Sequence, residues 1–173
     1  MPLPSDAGQG QWRGGYVGCG PQTAAVLLGW WAPRLGLTVP ERDALAAELA
    51  PPLGAWKVPL SGGQRAAQPW SWLLGLNRVL RAQELPLQAR GHWGYRPDLR
   101  ARLAHNWERG LPTVGFEFSA RTQHYGLLRA YGETARGLEG QLVAPLAGKP
   151  TLHLQPRLGV GGAFWLEPRR QAD

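Results

Sequence analysis

The stretch Gly18-Cys19-Gly20-Pro21-Gln22-Thr23 decides the predicted fold, because it opens a helix with the only cysteine of the chain. Apolar residues recur behind this cysteine at three- and four-residue spacing, which predicts a helix from Cys19 to about Ala32. These residues are Ala24, Leu27, Leu28 and Trp31. Proline is tolerated in the first turn of a helix, as at Pro21, whereas Pro33 cannot continue it.

Further helices and then strands are predicted outward from this segment. Amphipathic periodicity places helices at 41–49, 68–83 and 97–109. Strands are expected at 87–91, 111–118, 124–131, 138–144, 151–155 and 163–167. Helices followed by strands are typical of the α+β class, and the short turns between the later strands predict an antiparallel meander.

The length and the local composition predict one domain. The chain has 173 residues, which suits a single domain over residues 1–173. Residues 1–15 are polar and rich in glycine and proline, and we expect a flexible lead-in there. Residues 53–66 also contain several glycines and prolines and are predicted to form a loop.

The charge and the composition restrict the partners. The formal net charge is +7, yet the 17 arginines are spread along the whole chain, so a nucleic-acid partner is not favoured. An acidic peptide would be attracted by this charge. One cysteine excludes an internal disulfide and a cysteine-based zinc cage, and the four histidines lack metal-ligand spacing. We therefore expect neither a metal site nor a cofactor.

The hydropathy pattern predicts a cytoplasmic protein without a membrane span. Residues 1–10 lack the basic start and apolar stretch of a secretory signal. No segment is apolar for the roughly 20 residues that a transmembrane helix needs.

Cys19 is the candidate nucleophile. A thiol at a helix N-terminus is exposed to the positive end of the helix dipole and to unpaired N–H groups, and both favour the reactive thiolate. The flanking Gly18 and Gly20 would let a substrate backbone approach closely. The alternative is a buried structural cysteine.

The order of three short motifs resembles the papain-like cysteine peptidases, in particular the branch of double-glycine peptidases that process bacteriocins. The motifs are Cys19-Gly20-Pro21, Gly110-Leu111-Pro112 before a strand, and His124-Tyr125-Gly126 at the start of the next strand. The resemblance covers most of the chain in order. It implies a papain-like α+β fold in which N-terminal helices, with a central cysteine-bearing helix, pack on a C-terminal antiparallel sheet.

The resemblance also implies roles for individual residues. His124 would be the base that pairs with Cys19; on position, His92, His105 and His153 fit this role less well. Gln11, with Gln9 as the second choice, would supply one oxyanion donor beside the backbone N–H of Cys19; the alternative is a surface glutamine.

The third catalytic group departs from the pattern of this family. Ala144 stands where an orienting acid is expected, and Gln141, Glu139 and Glu133 are the nearby substitutes. Of these, Gln141 is the candidate orienting group, which would hold the imidazole by a hydrogen bond; the alternative is a polar residue on the solvent side of a strand.

Three functions follow as hypotheses. The first is a thiol hydrolase that cleaves peptide or related amide bonds through Cys19 and His124. The second is an acyltransferase that uses the same thiol. The third is a catalytically degenerate module of this fold that binds peptides or acidic partners, which the alanine at position 144 favours.

Overall fold

Four helices are found in the part of the chain that the computed structural model describes, which comprises residues 11–12, 15–16, 18–57, 65–94, 98–119, 123–146 and 149–169. They are α1 (Cys19–Trp31), α2 (Arg42–Leu49), α3 (Pro69–Ala82) and α4 (Leu99–Glu108). Both ends of each of the four were predicted to within two residues. A 3₁₀ turn, Ala32–Leu35, follows α1 and contains Pro33, as expected for a residue that cannot extend a helix.

The strands are short at the N-terminal end and longer toward the C-terminus. They are β1 (Gln11–Trp12), β2 (Gly15–Tyr16), β3 (Trp56–Lys57), β4 (Arg65–Ala66), β5 (Leu87–Trp93), β6 (Thr113–Phe118), β7 (Gln123–Thr134), β8 (Gly137–Leu146), β9 (Lys149–His153) and β10 (Val160–Pro168). The pairs β1–β2 and β3–β4 are small antiparallel ribbons. The other six strands form one antiparallel sheet, so the described chain is α+β, as predicted.

The order of the sheet corrects the predicted meander. The order is β5-β10-β6-β7-β8-β9, so only β6 to β9 follow one another as a meander. Strand β10 returns across the sheet and pairs with both β5 and β6. Gly162 permits this close insertion, because a Cβ there would collide with the carbonyl of His92 on β5.

Two predicted irregular segments contain short strands. Residues 11–12 and 15–16 form the β1–β2 ribbon within the expected lead-in, whose residues 1–10 lie outside the described part of the chain. The expected loop at 53–66 contains β3 and β4, and residues 58–64 between them are likewise not described. Two-residue strands carry too little periodicity to be recognised in a sequence.

The main core lies between helices α1, α2 and α3 and one face of the sheet. Helix α1 is buried from Gly20 to Leu28 and contacts β7 and β10. The sheet contributes Phe116, Tyr125, Leu127 and Phe164 to this core. Helix α3 contributes Trp72 and Leu76. Burial on nearly all sides explains why α1 is the most uniformly apolar helix.

A second core lies on the opposite face of the sheet. It contains Leu128 of β7, Leu142 of β8 and Leu152 of β9, together with Leu99 and Leu103 of α4. The sheet curls around this core, so that β9 contacts β6 although the two are not neighbours in the sheet order. The curl brings together polar residues from β6 and β9 at one end of the sheet.

Candidate active site

Cys19 is the first residue of α1, and the backbone before it is shaped by a glycine. Gly18 caps the helix with a φ of 101°, a conformation that residues with a side chain rarely adopt. Its carbonyl accepts the N–H of Gln22 at 3.2 Å and starts the helical ladder. The thiol is half-buried and stands among the first amides of the helix, which have no partner within the helix itself. This position favours the thiolate.

The start of β7 lies directly against the thiol. The backbone N–H of Tyr125 donates to Sγ of Cys19 at 3.4 Å. Because His124 is the preceding residue, its peptide bond to Tyr125 contacts the sulfur. His124 is itself buried, with 8% of its surface exposed. The structure therefore brings the backbone of His124, the proposed base, to the sulfur of Cys19, the proposed nucleophile.

Aromatic residues hold the first turn of α1 in place. The indole N–H of Trp72 donates to the carbonyl of Gly20 at 2.8 Å, and the hydroxyl of Tyr125 donates to the carbonyl of Ala67 at 2.8 Å. A Cβ at Gly20 would lie 3.3 Å from that of Ala67. Glycine at this position allows the helix start to approach the chain between β4 and α3.

Tyr125 is kept in its neutral form. Burial raises the pKa of its hydroxyl well above the usual value, and a charge on Cys19 raises it further. A tyrosine that holds its proton this firmly acts as a hydrogen-bond donor to Ala67 rather than as an acid or base. Its backbone N–H, by contrast, is available to the sulfur at any pH.

Gln11 is connected to the segment before the nucleophile through the β1–β2 ribbon. It lies on β1, and its partner on β2 is Tyr16, three residues before Cys19. Strand β1 also contacts α2, which packs on α1. The side chain of Gln11 belongs to the residues whose side chains are not described, so its role as an oxyanion donor stays a prediction.

The structure does not bring Gln141 to His124. Gln141 pairs with Ala130 on β7 and with Thr151 on β9, and its side chain is exposed. Ala130 is six residues beyond His124, which corresponds to roughly 20 Å along a strand. Ala144 lies on β8, and nothing is described of its side chain.

Glu117 is the site residue that the sequence analysis missed. It stands opposite His124 in the β6–β7 pair and is only 3% exposed. Its carboxylate accepts the hydroxyl of Ser119 at 3.0 Å and the backbone N–H of His153 at 2.8 Å. In the sequence, Glu117 alternates with apolar residues, a pattern that predicts a solvent-facing position on a strand. The only signal that could have identified it is its pairing with the strand that carries His124.

A cavity of about 490 Å³ opens beside Glu117. Ser119 and His153 line it together with Arg136 and Arg157. Glu139, which is buried nearby, has Oε1 at 3.3 Å from Nε of Arg136 and 3.4 Å from Nδ1 of His153. The curl of the sheet thus produces a polar hollow next to the strand pair that carries His124.

Neither a metal site nor a membrane span is found among the described residues. No three of their His, Cys, Asp and Glu side chains are grouped so that they could hold a metal ion. No helix in the same part of the chain is long and apolar enough to cross a membrane.

Comparison with known proteins finds no match to the chain. The chain matches no family model, and neither the curated proteins nor the solved structures contain a match to it. The geometry of the site is therefore the basis for its chemistry. That geometry is a half-buried thiol at a helix N-terminus, in contact with the peptide bond that follows a buried histidine.

Proposed function

We propose that the chain is a papain-like thiol hydrolase that cleaves peptide or related amide bonds with Cys19 and His124. The observation that carries the proposal is the hydrogen bond from the N–H of Tyr125 to Sγ of Cys19, which joins the start of β7 to the start of α1. Two further features support it. The cysteine-bearing helix packs on the sheet, and His124 is buried, with its peptide bond to Tyr125 in contact with the sulfur.

The reaction follows from these groups. The thiolate of Cys19 attacks the substrate carbonyl carbon, and the electron pair of the C=O bond moves to oxygen. The N–H of Cys19 and the side chain of Gln11 stabilise this oxyanion. The imidazolium of His124 gives its proton to the leaving nitrogen, the C–N bond breaks and a thioester remains. His124 then takes a proton from water, which attacks the thioester, and the acid and the thiolate are released.

The test is the rate of alkylation of Cys19 by iodoacetamide as a function of pH. The chain contains a single thiol, so the signal has one source. We expect rapid alkylation well below pH 8.5, the ordinary pKa of a cysteine, because an imidazolium beside the sulfur stabilises the thiolate. His124→Ala removes that imidazolium and should return the titration toward the ordinary range.

His105→Ala is the matched control. His105 is exposed on α4, and we expect its loss to leave the alkylation profile unchanged. Reactivity at low pH that survives in His124→Ala would contradict the proposed pair. An ordinary thiol titration in the unmodified protein would remove the enzyme hypothesis altogether.

A catalytically degenerate module that binds peptides or acidic partners is the second candidate. The observation that favours it is the absence of a carboxylate at position 144, together with the distance of Gln141 from His124. An orienting group contributes strongly to activity in this type of site, although its loss leaves some catalysis. An ordinary thiol titration combined with measurable binding of acidic peptides would support this function.

A further inference from the structure

We infer that Glu117 orients His124 and stabilises its protonated form, in place of the acid that is missing from position 144. The inference rests on the proposed function, since an imidazolium matters only if His124 pairs with Cys19. Glu117 and His124 are directly opposite each other in the antiparallel β6–β7 pair. Residues so placed have their side chains on the same face, with Cβ atoms about 5 Å apart. A glutamate is long enough to reach an imidazole over that distance.

The carboxylate of Glu117 is fixed in position. Oε1 accepts the hydroxyl of Ser119, and Oε2 accepts the N–H of His153 on β9. A carboxylate has about four acceptor sites, so these two bonds do not exhaust it. Because two hydrogen bonds hold the carboxylate, its orientation relative to His124 on the neighbouring strand is fixed. A residue that positions another side chain requires such a fixed orientation.

A positive partner would stabilise the buried carboxylate of Glu117 beyond what its two hydrogen bonds provide. A buried carboxylate is costly unless charges or hydrogen bonds compensate it, and glutamine would serve equally well for a purely structural link between β6 and β9. An imidazolium at His124 supplies a compensating charge. In return, a carboxylate within about 4–6 Å raises the pKa of an imidazole by stabilising its charged form.

Other charged groups surround this end of the sheet. Cys19 approaches from α1, and His153 and Glu139 come from β9 and β8. Arg136 and Arg157 are among the residues that line the adjacent cavity. These groups affect the pKa of His124 equally in all variants. A shift of this pKa that appears only when Glu117 loses its charge is therefore due to Glu117.

The experiment compares two alkylating reagents across pH. Anionic iodoacetate is attracted by an imidazolium beside the thiolate, and neutral iodoacetamide is not. The ratio of the two rates therefore falls at the pH where His124 loses its proton. In Glu117→Gln we expect this fall to occur at least about one pH unit lower. Glu117→Asp keeps the charge and should restore part of the shift.

Glu133→Gln is the matched control. Glu133 is an exposed glutamate on β7 that pairs with Arg100, and its replacement should leave the ratio unchanged. If the unmodified protein shows the fall and Glu117→Gln shows it at the same pH, the inference on Glu117 is overturned while the proposed function stands. If the unmodified protein has an ordinary thiol titration, the proposed function itself fails.

A second measurement decides the question if Glu117→Gln does not fold. In Cys19→Ala the thiolate is absent, so Glu117 is the proposed source of stabilisation for the imidazolium. We expect the His124 ring in this variant to titrate by NMR above the ordinary histidine value of about 6.5, in spite of its burial. A value at or below about 6.5 would overturn the inference.

Discussion

The indole N–H of Trp72 donates a hydrogen bond of 2.8 Å to the carbonyl of Gly20, the residue directly after the candidate nucleophile. Trp72 is fully buried, and its ring stacks on that of Phe164 with centroids 4.6 Å apart. Helix α3 and strand β10 thus hold the first turn of α1 from one side. These contacts hold the helix turn that carries the thiol.

Trp72→Phe should destabilise the protein by about 2 kcal/mol, because it removes a buried donor and part of a stacked ring. The hydroxyl of Thr23 still donates to the same carbonyl, which limits the loss. Urea unfolding measures the change. The control is Trp70→Phe two residues away, whose ring is half exposed and whose replacement should change the stability by less than about 0.5 kcal/mol. Equal effects of the two changes would contradict the supporting role of Trp72.

Gly20→Ala tests the close approach at the helix start. The added methyl group would lie 3.3–3.4 Å from Ala67, Trp72 and Tyr125, and hydrogen bonds hold the last two in place. We expect overpacking to exceed the gain in helix propensity, with a net loss of about 1 kcal/mol and slower alkylation of Cys19.

Gly29→Ala provides the comparison on the same helix. Nothing lies within 4 Å of the position where its Cβ would stand, so the gain in helix propensity should remain, at up to about 1 kcal/mol. Thermal unfolding of both variants measures the difference. Stabilisation by Gly20→Ala would show that the neighbours yield easily and that the turn is not tightly held.

The sequence pattern predicted the elements better than their arrangement. Helices such as α3 and α4 were found because apolar residues recur along one face, and Gly110, which has a φ of 63°, ends α4 as predicted. The place of β10 between β5 and β6 was not predicted. Alternation tells which face of a strand is buried, but it does not tell which strands are neighbours.

The same reasoning explains what was found and missed in the site. Cys19 and His124 could be proposed because each stands at the start of an element, where short motifs are informative. Glu117 was missed because a charged residue that alternates with apolar ones predicts a solvent-facing position. The curl that brings β9 against β6 buries it, and this curl arises from contacts between distant parts of the chain.

Gln141→Ala should leave the alkylation profile of Cys19 unchanged. Gln141 is exposed on β8 and pairs with Ala130, roughly 20 Å along the strand from His124. The same iodoacetate and iodoacetamide rates measure the effect. A shift as large as that expected for Glu117→Gln would show that Gln141 acts on His124 as the orienting group.

Tyr125→Phe should change the stability in a way that depends on pH. At neutral pH the variant lacks the bond from the hydroxyl to the carbonyl of Ala67, and we expect a loss of about 1 kcal/mol. Burial, and then the charge of Cys19, raise the pKa of Tyr125 in the folded state. Above pH 10 the unfolded chain therefore releases this proton while the folded protein keeps it, which favours unfolding.

This contribution destabilises the unmodified protein by up to about 1.4 kcal/mol for each pH unit above 10, and phenylalanine abolishes it. The stability advantage of the unmodified protein over Tyr125→Phe should consequently shrink as the pH rises from 9 to 11. Urea unfolding of both proteins over this range measures the difference, and the other titrating groups cancel because they are common to both. A difference that stays constant with pH would mean that Tyr125 ionises as readily in the folded protein as in the unfolded chain.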